Sequence, residues 1–262
     1  MKIVVCIKQV PDTTEVRIDP IKGTLIREGV PSIINPDDKN AIEEALRIKE
    51  KIKDTTVIVV TMGPLQSESA LREALAMGVD KAILLSDRKF AGSDTLATSY
   101  ILSSAIKKIG GYDIIFCGRQ AIDGDTAQVG PGIAEHLNIP QITYVSDLNI
   151  NGNKIIANRN IEEGSYVIKS KMPILLTAIK ELNEPRYPSI DGIYKAHREK
   201  TIDIWTAKDL DIDEKKIGLN GSPTNVKKSF TPSVSFEGEI LEGTVEEVSY
   251  KLVSKFREKQ II

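Results

Sequence analysis

The chain has 262 residues, enough for one large domain, or a domain with an extension, and enough to bury a substantial core. Its 35 Lys and Arg side chains nearly balance 37 Asp and Glu, with no basic block and no acidic tail, so nucleic acid is not an expected partner. The opening apolar run Ile3-Val4-Val5-Cys6-Ile7 is too short for a signal core or a membrane span and reads as the first strand of a cytoplasmic protein.

In chain order, Asn35-Pro36 leads into a helix, with Asn35 a candidate cap and Pro36 suited to the first turn. Residues 57–61 are apolar and β-branched, a buried strand. Ala70, Leu71, Ala74 and Leu75 share a helical face that Gly78 ends. Residues 82–85 form the next strand, and Gly92-Ser93-Asp94 opens a helix carrying Ile101, Ala105 and Ile106. Residues 113–117 are strand, 126–137 helix and 142–145 strand again. Runs apolar on both faces, alternating with helices, predict an α/β fold: an open, mainly parallel, doubly wound sheet of the nucleotide-binding, Rossmann-like kind.

Three stretches break the alternation. Residues 14–28 carry a hairpin signal around Pro20-Ile21-Lys22-Gly23. Residues 148–177 are strand-rich, with turns at Asn151-Gly152-Asn153 and Glu162-Glu163-Gly164, and predict an antiparallel addition at the sheet edge. Residues 209–232 read as a polar linker. Val245, Val248, Leu252 and Phe256 then mark an amphipathic helix with no core of its own, a C-terminal arm. The expected domains are residues 1–200, the nucleotide-binding α/β domain, and residues 201–262, the linker and arm.

Ligands of such sheets bind outside the carboxyl ends of the strands. The loops expected there bring Cys6, Asn35, Pro36, Asp37, Asp38 and Met62 toward a longer loop. That loop runs Gly118, Arg119, Gln120, Ala121, Ile122, Asp123, Gly124, Asp125, Thr126, Ala127, Gln128, Val129. Gly118 would let a ligand approach the strand end. A helix beginning at Thr126 would offer free amides to a phosphate, unless Asp125 or Thr126 is only its cap. Cys6 and Cys117 make no metal spacing and read as packed, reduced thiols. The sequence contains no Walker loop, no GxGxxG and no nucleophile elbow, and His136 and His197 sit in no ligand pattern. No catalytic residue and no metal ligand is expected, which favours a scaffold for a cofactor that carries the chemistry.

At these residues the chain resembles the beta subunit of electron-transfer flavoproteins along nearly its whole length. The matching segments are Val5-Cys6-Ile7-Lys8-Gln9-Val10-Pro11-Asp12, Asn35-Pro36, the run from Ala74 to Asp80, the loop from Gly118 to Val129, and the signature around Arg159, Glu162-Glu163-Gly164 and Pro173. Tyr166 departs from the acidic or amide residue usual there. The resemblance implies a heterodimer with an FAD-carrying alpha subunit, onto which the C-terminal segment reaches. It also implies that Leu182, Asn183, Glu184, Pro185, Arg186, Tyr187 and Ile190 form the loop that docks a flavin-containing dehydrogenase. Small residues at Gly124 and Ala127 resemble the electron-bifurcating and nitrogen-fixation-associated members. In these the beta subunit holds FAD, NADH is the donor, and ferredoxin is one acceptor. The chain would then oxidise NADH only as part of its complex. Structural AMP in place of FAD is the alternative.

Overall fold

The computed structural model describes residues 1–12, 31–227 and 238–262. The chain divides into two compact units, the first ending at Lys227 and the second containing residues 238–262. In the first unit the strands are β1 (Lys2–Cys6), β2 (Gln9–Pro11), β3 (Ser32–Ile34), β4 (Thr56–Met62), β5 (Lys81–Leu85), β6 (Ile114–Gly118), β7 (Gln141–Asn151), β8 (Lys154–Ile161), β9 (Gly164–Lys171), β10 (Ile174–Ala178) and β11 (Ile202–Trp205). The helices are α1 (Pro36–Lys51), α2 (Glu68–Met77), α3 (Thr95–Ile109), α4 (Val129–Leu137) and α5 (Ile190–Arg198). The second unit contributes α6 (Val245–Glu258).

The main sheet has the order β11-β5-β4-β1-β6-β10-β7-β8-β9. Every pair from β11 to β7 is parallel, and β8 and β9 add antiparallel strands at one edge. The expected doubly wound sheet is therefore the observed one. Strand alternation explains its two cores. Ile3, Val5, Val57, Val59, Ile114 and Phe116 face one apolar layer with residues of α1 and α2. Val4, Cys6, Ile58, Val60, Ile115 and Cys117 face the other, with residues of α3 and α4. The chain runs outward from β1 through β4 to β5, then returns across the sheet to β6 on the other side of β1. That reversal creates a crevice at the carboxyl ends of β1 and β6, where ligands of such sheets bind.

Several expectations need correction. Residues 148–177 are not wholly an edge addition, because β10 lies inside the sheet, parallel between β6 and β7. The boundary expected after residue 200 lies too early: β11 pairs with β5, and Ala207, Leu210 and Ile217 are buried in the second core. What reads as a polar linker from residue 209 is thus, up to residue 227, part of the first unit, its few apolar side chains spaced to plug the sheet face. The hairpin expected at residues 14–28 lies outside the described residues. In the second unit, α6 opens with a reciprocal cap: Thr244 N–H donates to Glu247 Oε2 at 2.9 Å, and Glu247 N–H donates to Thr244 Oγ1 at 3.4 Å. No residue of α6 is buried, and Val245, Leu252 and Phe256 remain exposed along it. No helix among the described residues is long and apolar enough to cross a membrane.

Candidate functional site

The crevice is built around the start of α1. Pro36 fits the first turn, and acidic Asp37 and Asp38 at this end with Lys49 and Lys51 at the other suit the helix dipole. Asp38 is buried, and its carboxylate accepts from the Lys8 amide at 2.7 Å and from the Gly118 amide at 2.9 Å. One side chain thus ties together the ends of β1 and β6. Burial pushes the Asp38 carboxyl up to about 7, against the pull of those amides and of the Asn35 side chain. Gly118 has a different role from the one expected. A Cβ there would lie 2.2 Å from Asp38 Oδ1 and 2.8 Å from the Asp38 nitrogen, so the close approach is that of α1 and not of a ligand. Burial also raises Asp37, which Arg119 at 3.4 Å counteracts.

Asn35 makes no side-chain cap to α1. Its amide clamps the long loop instead, donating to the Gln120 carbonyl at 2.8 Å and accepting from the Ile122 amide at 3.0 Å. The loop's carboxylates are held by side chains. Asp123 pairs with Lys8 at 2.6 Å, and Asp125 accepts from Gln120 Nε2 at 2.8 Å. Neither Asp125 nor Thr126 caps a helix, because α4 begins only at Val129. The reason is backbone geometry: Asp125 and Ala127 have φ of 48° and 53°, left-handed values that stop a helix from starting at Thr126. Ala127 followed by Gln128 at φ −105° and ψ −20° is a left-handed then right-handed pair, the alternation that forms an anion-binding nest. The N–H groups of Thr126, Ala127, Gln128, Val129 and Gly130 find no acceptor among the described residues. Unpaired amides at a helix N-terminus are the kind of donors that suit an anion. Gly124 stands in open space, with nothing within 4 Å of a Cβ built there.

Of the residues expected at this edge, Asn35, Pro36, Asp37, Asp38 and Gly118 to Val129 come together. Pro36, Asp38 and Gly118 support the site without presenting polar groups to it. Met62 lines an adjoining cleft with Gln9, Val10, Gly63, the expected Asp123 and its counterion Lys8, which the expected set did not contain. Cys6 is buried beside its register partner Cys117 within the second core, a free thiol as expected. No cluster of metal-binding side chains exists among the described residues.

Comparison with known proteins matches the electron transfer flavoprotein domain to residues 22–210. The chain belongs to the electron transfer flavoprotein family, as a beta subunit. It is 60% identical to an electron transfer flavoprotein subunit beta of Thermoanaerobacterium thermosaccharolyticum, over 100% of both chains. It is 55% identical, again over 100% of both, to the caffeyl-CoA reductase-Etf complex subunit CarD of Acetobacterium woodii. With protein FixA of Azorhizobium caulinodans it shares 47% identity over 90% of this chain and 86% of FixA. A flavoprotein family implies flavin or nucleotide association.

The segment for which the resemblance implied docking divides in two. Asn183 exchanges hydrogen bonds with Asn40, accepting at its carbonyl at 2.7 Å and donating from Nδ2 at 3.0 Å, and Leu182 packs on the first core. Arg186 meets the nearly buried Glu43 at 2.8 Å and Glu50 at 2.5 Å, while Arg47 donates to the Glu184 carbonyl. Burial pushes Glu43 up, but the Arg186 and Arg47 hydrogen bonds outweigh it and hold the carboxyl below its usual range. Pro185 continues this pinned stretch. Beyond it Tyr187 is 92% exposed and Ile190 is 89% exposed, so the pinned half presents an apolar tip.

Asp38 gives a pH signature whose sign follows from its direction of shift. The folded chain holds this proton up to about 7, while the unfolded chain loses it near 3.8. Between those values the folded state binds the extra proton, so stability falls as pH rises, by at most about 1.4 kcal/mol per pH unit, and levels off above. Asp38→Asn should flatten that segment of the curve. Denaturant unfolding of both forms from pH 4 to 8 checks it, the change in slope being the readout.

Proposed function

We propose that this chain is the beta subunit of a heterodimeric electron-transfer flavoprotein of the bifurcating type, holding FAD with its diphosphate at the amides of residues 126–130. The observation that carries this reading is the nest before α4, with its five free amides and the open space at Gly124. Bound FAD would supply the redox chemistry, taking hydride from NADH and passing one electron to the alpha-subunit FAD and its dehydrogenase and the other to ferredoxin.

The chain's own contribution is placement and electrostatics. Backbone amides bring partial positive charge to the diphosphate without a lysine. Lys8 and Gln120 hold Asp123 and Asp125 in ion pair and hydrogen bond, which limits their repulsion of a nearby anion. The Asn35 clamp fixes the loop between them. Extraction of the purified heterodimer should return FAD from both subunits. FAD in the alpha subunit alone, with stoichiometric AMP, would overturn this reading in favour of a structural nucleotide. Gly124→Asp adds a carboxylate where the fold has room for it, so it should leave unfolding unchanged yet empty this subunit of flavin and abolish NADH oxidation.

The partners follow from the family and the exposed surfaces. An alpha subunit is the proposed occupant of the apolar stripe of α6, and the domain boundary is proposed at residue 227 in place of 200. Deleting residues 228–262 should weaken the heterodimer while leaving the first unit folded; unchanged affinity by titration calorimetry would remove α6 from that role. The second partner is a flavin-containing dehydrogenase, met by Tyr187 and Ile190. One relative is named for a caffeyl-CoA reductase complex, which supports an acyl-CoA type of enzyme here. Because Ile190 is exposed, Ile190→Ala should preserve fold and flavin content. It should weaken docking by about 2 kcal/mol, seen as a raised KM for electron transfer to the dehydrogenase. A cytoplasmic location accords with this chemistry.

A further inference from the structure

Strand β7 contains an aromatic residue in a conformation that strands do not adopt. Tyr144 has φ of 58°, and at this point the register with β10 slips: Leu176 pairs with Ile142, while Ala178 pairs with Val145. Three steps along β7 thus match two along β10, which is a bulge. The β10 residue opposite it is Thr177, 1% exposed. Its Oγ1 accepts the Tyr144 amide at 3.0 Å, satisfying a donor that the bulge takes out of the ladder. Its other branch points to α4. A Cβ on Gly130 would lie 2.8 Å from Thr177 Cγ2, and the next neighbours, Cys117 Cβ and Leu175 Cδ2, would both be at an ordinary 3.6 Å. Gly130 is in the first turn of α4 and carries one of the free amides.

We infer that Thr177 is the positioning residue of the nucleotide site. Its hydroxyl fixes the bulge of β7, and its methyl sets how closely the first turn of α4 sits on the sheet. It touches no ligand itself. It acts by fixing the height of the amides of residues 128–130 above the strand ends, on which a phosphate contact of fixed length depends. The reasoning rests on the proposed placement of the diphosphate at those amides. The two halves of one side chain have separable duties here, which a general packing role would not require.

The test is a rescue in the purified heterodimer, with FAD and AMP each titrated into the nucleotide-stripped protein and thermal unfolding followed in parallel. Gly130→Ala should lift the first turn and weaken binding by about tenfold or more, as overpacking at so tight a contact implies. Thr177→Ser keeps the hydroxyl and removes the methyl in the way, so the double variant Gly130→Ala with Thr177→Ser should recover most of the lost affinity. Thr177→Val keeps the methyl and replaces the accepting hydroxyl with a second methyl. It should not rescue Gly130→Ala. Recovery of unfolding temperature in the Gly130→Ala, Thr177→Ser pair without recovery of affinity for either nucleotide would overturn the inference and leave Thr177 a packing residue. Binding of AMP in preference to FAD, with the rescue pattern intact, would instead overturn the FAD reading alone and support the positioning role.

Discussion

The site depends on a single buried carboxylate. Asp38 receives an amide from the end of β1 and another from the end of β6, the two strands between which the chain reverses direction. A crevice in an open sheet exists because its flanking loops diverge, and something must fix the angle at which they part. Here α1 is driven between them, close enough that Gly118 has no room for a side chain. The same geometry makes Asp38 costly to ionise, since burial removes its water and two amides only partly replace it. An element as rigid as this lets the loop beyond it be irregular.

That irregularity has a cost of its own. Two residues that are not glycine, Asp125 and Ala127, stand in the left-handed region, and each such residue typically costs roughly 1–2 kcal/mol. Tyr144, in β7, adds a third. The first two keep α4 from starting before Val129, so the amides of residues 126–130 have no acceptor among the described residues. The Asn35 clamp holds the loop ahead of them, and the Thr177 hydroxyl accepts the Tyr144 amide.

Much of the fold was legible because burial on both faces demands unbroken apolar strands, as in residues 57–61 and 82–85. The length of β11 hid it: four residues with Asp203 among them carry too little periodicity to separate from a loop. The start of α4 was misread for a related reason. Thr126 and Asp125 are good capping residues, and a propensity pattern contains nothing that would reveal a positive φ at an alanine. Gly118 was correctly singled out, but a glycine reports only that something comes close, not whether it is ligand or helix. Asn35 was placed at the right edge with the wrong partner, since capping is a local bond and the clamp spans 85 residues to Gln120. Thr177 and its bulge left no signal at all, because a threonine in a strand is ordinary until the register beside it is known. The pinned half of the segment at residues 182–186 was equally out of reach, since its partners lie on α1, 143 residues away for Asn183 and Arg186.

The acidic residues of the loop looked at first like evidence against an anion. Their geometry removes the objection. Lys8 faces Asp123, Gln120 faces Asp125, and Arg119 stands beside Asp37. Each carboxylate has a partner beside it, which limits its repulsion of an anion at the amides ahead of α4, where the helix dipole adds attraction. Backbone amides carry no titratable proton in this range, so a response of the crevice to pH enters through Asp38, whose ionisation adds a negative charge between the ends of β1 and β6 and alters the hydrogen bonds that tie them together.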